Sequence, residues 1–328
     1  MNGPPSSTWF SAAPDWGWLI VLYFFLGGLS GGCYFLACLI DLFGGPEDRP
    51  LARLGYYVAF PCVAASGILL TADLGRPLRF WHMMIESHTY RPMFKYWSPM
   101  SIGAWALLVF GLFTFLSFLG ALAEEDGPPS RRASSSARAA ANQGRLPWAA
   151  LRTVGTRWPT LRRLGASSGP GRVISVIGAV FGLYVAGYTG VLLAVTNRPI
   201  WSDTPLLGML FVVSASSTSA ALIMLLAHRL GWTPPGLANL HRMEDWVIAL
   251  ELVVLVAVIV SLGPVSRAWL NAWGLLLAIV IILGMVAPLL LSWRARRLQE
   301  WHVTTAAVLV LVAGFLLRVI IVFSSESV

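Results

Sequence analysis

Long apolar runs, separated by short polar, basic or proline-containing stretches, set the pattern of this chain. A bilayer-crossing helix needs about 20 consecutive, mainly apolar residues. Runs of that kind are read at 16–42, 52–73, 97–122, 172–195, 205–228, 244–262, 268–292 and 302–323. The second is the most interrupted, by Pro61 and Gly67, which neighbouring helices in a bundle tolerate; a re-entrant second segment would lower the count to seven. Hydrophobic residues make up 57% of the chain and charged ones 12%, where a soluble domain uses roughly 25% charged residues. The expected fold is therefore an all-α integral membrane protein, a single bundle of about eight transmembrane helices.

Charge gives that bundle an orientation. Sixteen of the basic residues fall in one alternate set of connections: Arg49, Arg53, the nine arginines between Arg131 and Arg172, then Arg229, Arg242, Arg294, Arg296 and Arg297. The other set holds six, namely Arg76, Arg79, Arg91, Lys95, Arg198 and Arg267. Under the positive-inside rule the richer set is cytoplasmic, so both termini are expected outside, on the periplasmic side. The net charge of +8 is thus accounted for by topology, and nucleic acid is not an expected partner. No basic residue precedes Arg49, so no secretory n-region is seen and the first span is expected to be retained.

Two connections stand out. Residues 124–171 are basic and rich in Ser, Gly and Pro, a composition that buries too little to order itself; a disordered cytoplasmic loop is the reading. Leu146 to Leu164 interleaves Trp148, Leu151, Val154, Trp158 and Leu161 with arginines, which fits a helix lying on anionic lipid or a solvated linker. The outer connection from Asp73 to Ser101 is dense in aromatics, basic groups, two histidines and two acids. An aromatic interface belt explains Trp81, Tyr96 and Trp97. It does not explain Asp73, Arg76, Arg79, His82 and Glu86 together.

Ionisable groups inside spans are costly and mark functional candidates. Glu251 interrupts the sixth span and Arg318 the eighth. Tyr23 and Tyr188 place phenols in the first and fourth spans, which run in opposite directions. At about 1.5 Å per residue both lie on the order of 10 Å below the outer surface, at one depth, as a polar lining for an amphiphilic head group. Read singly, each is an interface tyrosine. The G-G-L-S-G-G run at 27–32 suits close helix packing, and Ser214 to Ser219 suit hydroxyls bonded to carbonyls or across helices.

Other chemistries lack residues. Cys33, Cys38 and Cys62 have neither zinc nor iron–sulfur spacing, so no metal site and no cluster is expected in this chain. A membrane haem requires axial ligands projecting from helices. His82 and His88 are in the outer loop, while His228, His241 and His302 fall at inner helix ends, where snorkelling explains them; no haem is expected.

The motifs together resemble the NrfD family, the membrane subunits of polysulfide reductase and its relatives. The resembling pieces are W-G-W-L-I-V-L-Y-F-F-L-G-G-L-S-G-G in the first span, A-D-L-G-R-P-L-R-F-W-H-M and S-P-M-S-I-G-A-W about the outer loop, Y-T-G-V-L-L-A-V-T-N-R-P-I-W across the end of the fourth span, and L-L-R-V-I-I in the eighth. The resemblance implies a multi-pass subunit of a bacterial or archaeal cytoplasmic membrane, without a redox centre of its own. It implies an exchangeable quinone, menaquinone or ubiquinone, and a four-cluster, ferredoxin-like iron–sulfur partner on the outer face with a molybdopterin catalytic subunit beyond. Tyr188 matches the quinone-contacting tyrosine of that family. Its first-helix His and Asn positions are occupied here by Tyr23 and Ile20, a departure from the pattern. Asp73 matches the acid implied in proton transfer, with Arg76, Arg79 and His82 holding the site or docking the partner. Glu251 is read as a proton path or a structural acid. The rival readings are a secondary transporter, using Glu251 and Arg318, and a redox-silent membrane anchor.

Overall fold

The computed structural model describes residues 16–123, 159–232, 234–295 and 301–325. Eight helices among them are long and apolar enough to cross a membrane. They are α1 (Trp18–Phe43), α2 (Arg49–Ala72), α3 (Pro99–Ala123), α4 (Gly169–Ala194), α5 (Leu207–Arg229), α6 (Gly236–Leu262), α7 and α8 (Trp301–Ser324). The seventh is α-helical over Ala272–Ile281, passes through a π-helical turn at Ile282–Val286 and resumes over Ala287–Ala295. Helix is what an apolar run must form in lipid, where no water is present to satisfy backbone N–H and C=O groups.

The helices close into two four-membered rings. α1 packs on α2, α2 on α3, α3 on α4, and α4 back on α1; α5 contacts α6 and α8, with α7 against α8. The rings join where α1 meets α5 and α8 and where α4 meets α5. α1 is therefore the central helix, and small residues make its contacts close. A Cβ on Gly31 would overlap the Gly182 carbonyl of α4, and one on Gly32 would overlap Ser219 of α5. Close approach of this kind raises dispersion contact, the main source of helix adhesion in lipid.

Chain direction alternates, so the ends of the bundle form two faces. On one, which we call the Asp73 face, Trp16 stacks on Trp201 at 5.1 Å. There the Trp201 indole donates to the Ile321 carbonyl at 2.7 Å and the Trp269 indole to Ser324 at 3.0 Å. On the other, the Asp48 face, Asp48 Oδ1 accepts from Gly236 N at 2.7 Å and ties the start of α6 to the α1–α2 turn.

Three features differ from the sequence reading. α2 is a continuous helix with Pro61 inside it, not a re-entrant segment. α6 begins at Gly236 rather than near 244, because its first turns carry His241, Arg242, Glu244 and Asp245, which hide a helix from a hydropathy reading. The basic loop read as disordered over 124–171 is ordered at its end. Pro159–Leu164 forms a 3₁₀ segment packed on α3 and α4, with Gly120 of α3 pressed against the backbone of Leu164 and Gly165. Residues 124–158 lie outside the described residues.

Candidate functional site

Tyr23 and Tyr188 come together as their spacing requires. α1 and α4 cross at Gly31 and Gly182. From that crossing Tyr23 is eight residues back along α1 and Tyr188 six residues on along α4, about 12 and 9 Å toward the Asp73 face at about 1.5 Å per residue. Both are buried, at 2% and 6% exposure, in one packed cluster, and within electrostatic reach of each other.

Their surroundings are small and aromatic. The Tyr188 ring and hydroxyl lie on Gly103 of α3, where a Cβ would occupy the ring's place. Tyr184 stacks on Tyr188 with centroids 5.8 Å apart. Beside Tyr23, the missing side chain of Gly27 leaves a space bordered by the Tyr23 ring and the Ser66 hydroxyl of α2. Ser66 donates to the Cys62 carbonyl at 2.8 Å. Neither phenol hydroxyl has a hydrogen-bond partner among the described residues. A buried hydroxyl left in that state costs about 1–3 kcal/mol, so this pair is a part of the bundle with unused hydrogen-bonding capacity.

The outer loop is arranged around but not within that pocket. Asp73 is the C-cap of α2, its N–H donating to the Leu69 carbonyl at 3.0 Å. It is largely exposed, and desolvation by the helix end raises its carboxyl above the ordinary pKa. Arg76 precedes the 3₁₀ segment Pro77–Met83; Arg76 and Arg79 are exposed, and His82 is half-buried with its ring against Trp81, 3.9 Å between centroids. Beyond it, Glu86 N donates to the Arg91 carbonyl at 2.9 Å and Met93 N to the Met84 carbonyl at 2.8 Å, a small hairpin with Tyr90 at positive φ in its turn. The Trp105 indole donates to the Met93 carbonyl at 3.0 Å, fixing the hairpin to α3. No ion pair joins Asp73 to Arg76 or Arg79 among the described residues.

Glu251 and Arg318 belong to a separate buried network on the far side of α1. Arg318, fully buried, donates to the Phe24 carbonyl at 3.3 Å, to Ser214 Oγ at 3.2 Å and to the Gly314 carbonyl at 2.6 Å. Its guanidinium lies 5.2 Å from the Phe211 ring centroid and 5.6 Å from that of Phe25, within cation–π range. Glu251 of α6 accepts from Ser217 at 2.7 Å. Acid and base do not form a direct ion pair; the serines of α5 stand between them. Gly28 gives the guanidinium its room, since a Cβ there would lie 3.0 Å from it. Arg318 and Tyr23 thus flank α1 from opposite sides, one residue apart through Phe24.

Sequence reasoning missed Gly103, Tyr184 and Ser66, whose roles depend on which helices meet. It also missed a third polar cluster toward the Asp48 face. There Tyr56 donates to Asp41 at 2.9 Å and Tyr34 bonds Ser117 at 2.6 Å. No group of three or more His, Cys, Asp or Glu able to hold a metal is present among the described residues.

With this geometry in view, the family assignment is decided by the match of residues 11–328 to the profile described as "Polysulphide reductase, NrfD". The chain belongs to the NrfD family. Among NrfD relatives, it is 26% identical to the C chain of polysulfide reductase from Wolinella succinogenes over 300 residues, covering 83% of this chain and 84% of that protein. It is 27% identical to protein NrfD of Escherichia coli over 337 residues, 95% of both. A shorter stretch of 102 residues is 28% identical to the C subunit of selenate reductase from Mesobacillus selenatarsenatis, covering 31% of this chain and 22% of that protein. These names place NrfD-type chains among the subunits of reductases, and the eight apolar helices make this one a multi-pass membrane protein.

Proposed function

We propose that this chain is the quinol/quinone-reactive membrane subunit of a multi-subunit oxidoreductase. The observation that carries the reading is the pair of buried phenols, adjacent and without hydrogen-bond partners among the described residues, at the end of the bundle nearest the Asp73 loop. A phenol O–H donates to a carbonyl oxygen, and a quinone head group presents two such oxygens on a flat apolar ring. Tyr184, Gly27 and Gly103 supply the stacking face and the flat walls such a ring needs.

In the direction of quinol oxidation, one quinol gives one quinone, two protons and two electrons. The electrons pass to the nearest cluster of an iron–sulfur partner, and onward to a molybdopterin subunit; the reverse direction balances in the same way. Tyr23 and Tyr188 hold the head group. Asp73, at the adjoining helix end, exchanges the protons with solvent. Arg76, Arg79 and His82, with the exposed aromatics Phe94, Tyr96 and Trp97, form the surface against which the partner sits. The Asp73 face is the periplasmic one under the charge bias of the connections. Glu251 with Ser217, Ser214 and Arg318 offers a proton path deeper into the bundle.

The test is turnover in the assembled complex. Tyr188→Phe keeps the ring and removes one hydroxyl. Losing one neutral hydrogen bond is worth about 0.5–1.5 kcal/mol, so KM for quinol should rise roughly two- to tenfold. Activity measured with an artificial donor that feeds the partner directly should stay unchanged. Unaltered quinol kinetics in a Tyr23→Phe/Tyr188→Phe double variant would place the site elsewhere.

A further inference from the structure

We propose that an apolar groove between α2 and α3 receives the isoprenoid tail of the quinone whose head group meets Tyr23 and Tyr188. This deepens the function proposed above and rests on it. The groove has a volume of about 1000 Å³ and runs from Phe60 and Phe115, well inside the span, to Thr71 at the Asp73 face. No charged side chain lines it. Its one hydroxyl, on Thr71, already donates to the Gly67 carbonyl at 2.8 Å. The lining therefore offers dispersion contacts and no polar recognition, as a hydrocarbon chain requires. Gly67 and Gly111 keep it open, since a Cβ on either would meet nothing within 4 Å.

Two observations decide between a quinone tail and an ordinary lipid chain. The first is where the inner wall leads. Leu70 and Leu107 line the groove and also pack on the cluster that contains Tyr23 and Tyr188. Leu107 is one turn from Gly103, on which the Tyr188 ring lies, and Gly67 follows Ser66, which borders the space beside Tyr23. The second is the roof. Pro77, Phe80, Met83 and Met84 of the loop close the groove at the membrane surface. A phospholipid keeps its polar head at that surface, directly above its chains, where these four apolar residues stand. A quinone points its head inward, so its tail can lie beneath the roof with nothing polar to bring out.

The experiment uses the complex purified with its native partner subunits. Gly67→Leu and Gly111→Leu fill the groove from positions where an added Cβ meets no neighbouring atom, and an unchanged thermal transition verifies the fold. Turnover is compared for a quinol with a full-length tail and for a short-tailed quinol of the same head group. Excluding even two methylenes of tail from contact corresponds to about a tenfold loss. The long-to-short ratio of kcat/KM should therefore fall about tenfold, with a parallel fall in long-chain quinone extracted from the purified complex. An unchanged ratio, or an equal fall for both quinols, overturns the assignment. So does a loss of bound phospholipid with quinone content and ratio intact, which would make the groove an acyl-chain site. If the unaltered complex oxidises neither quinol, the proposed function itself fails, a pattern distinct from all of these.

Discussion

Asp73 shows how little of a residue's behaviour follows from its type. It caps α2 in the open, yet the helix end beside it raises its carboxyl above the usual value of about 3.9. The charged form is therefore the disfavoured one in the folded chain. The linked contribution to stability is complete below the ordinary pKa and is lost as pH rises through the raised one, and exposure keeps it small. The kinetic consequence is larger. If Asp73 accepts the protons of quinol oxidation, turnover rises as pH increases through its raised pKa. Asp73→Asn should abolish that acid limb and lower turnover by roughly 10²–10⁴. A pH–rate profile of Asp73→Asn that superposes on that of the unaltered complex would remove Asp73 from the reaction. The two tyrosines are legible from the sequence because antiparallel spans convert residue number into depth. Gly103 is not legible, since its meaning lies in the ring that a helix distant in sequence lays over it.

At the scale of elements, apolar runs mark all eight spans to within a few residues except the start of α6. What they do not mark is partnership. Ser214 and Ser217 read as hydroxyls bonded locally or across helices, but that they stand between Glu251 and Arg318 follows only once α5, α6 and α8 are packed. The same is true of the crossing of α1 and α4. Because a Cβ on Gly31 would meet the Gly182 backbone, Gly31→Val must push the two helices apart. Overpacking of this kind costs about 1–3 kcal/mol, and the phenols ride on the same two helices. The variant should melt at lower temperature in detergent and bind quinone more weakly as well. Gly67→Ala, whose added Cβ meets no atom within 4 Å, is the matched control and should change neither. A Gly31→Val protein that keeps both its melting temperature and its quinone affinity would show that the crossing does not set the phenol geometry.

The whole molecule is a pair of four-helix rings with its two polar interiors divided by α1. Its orientation in the membrane rests on the charge bias alone, sixteen basic residues against six. A reporter inserted after Ala141 should read cytoplasmic and one fused after Val328 external. The reversed pair of signals would carry the Asp73 loop, and with it the proposed partner surface, to the other side of the membrane.

The central position of α1 also has a meaning for how the protein is made. α1 leaves the ribosome first among the eight spans, and the contacts it needs come from α2, α4, α5 and α8. Arg318 lies in the last of these. By the time that arginine must enter the bilayer, the Phe24 carbonyl, Ser214 and the rings of Phe25 and Phe211 have already been synthesised. The order of translation therefore prepares the acceptors before the cation arrives, so the costliest side chain to insert meets a finished berth instead of bare lipid.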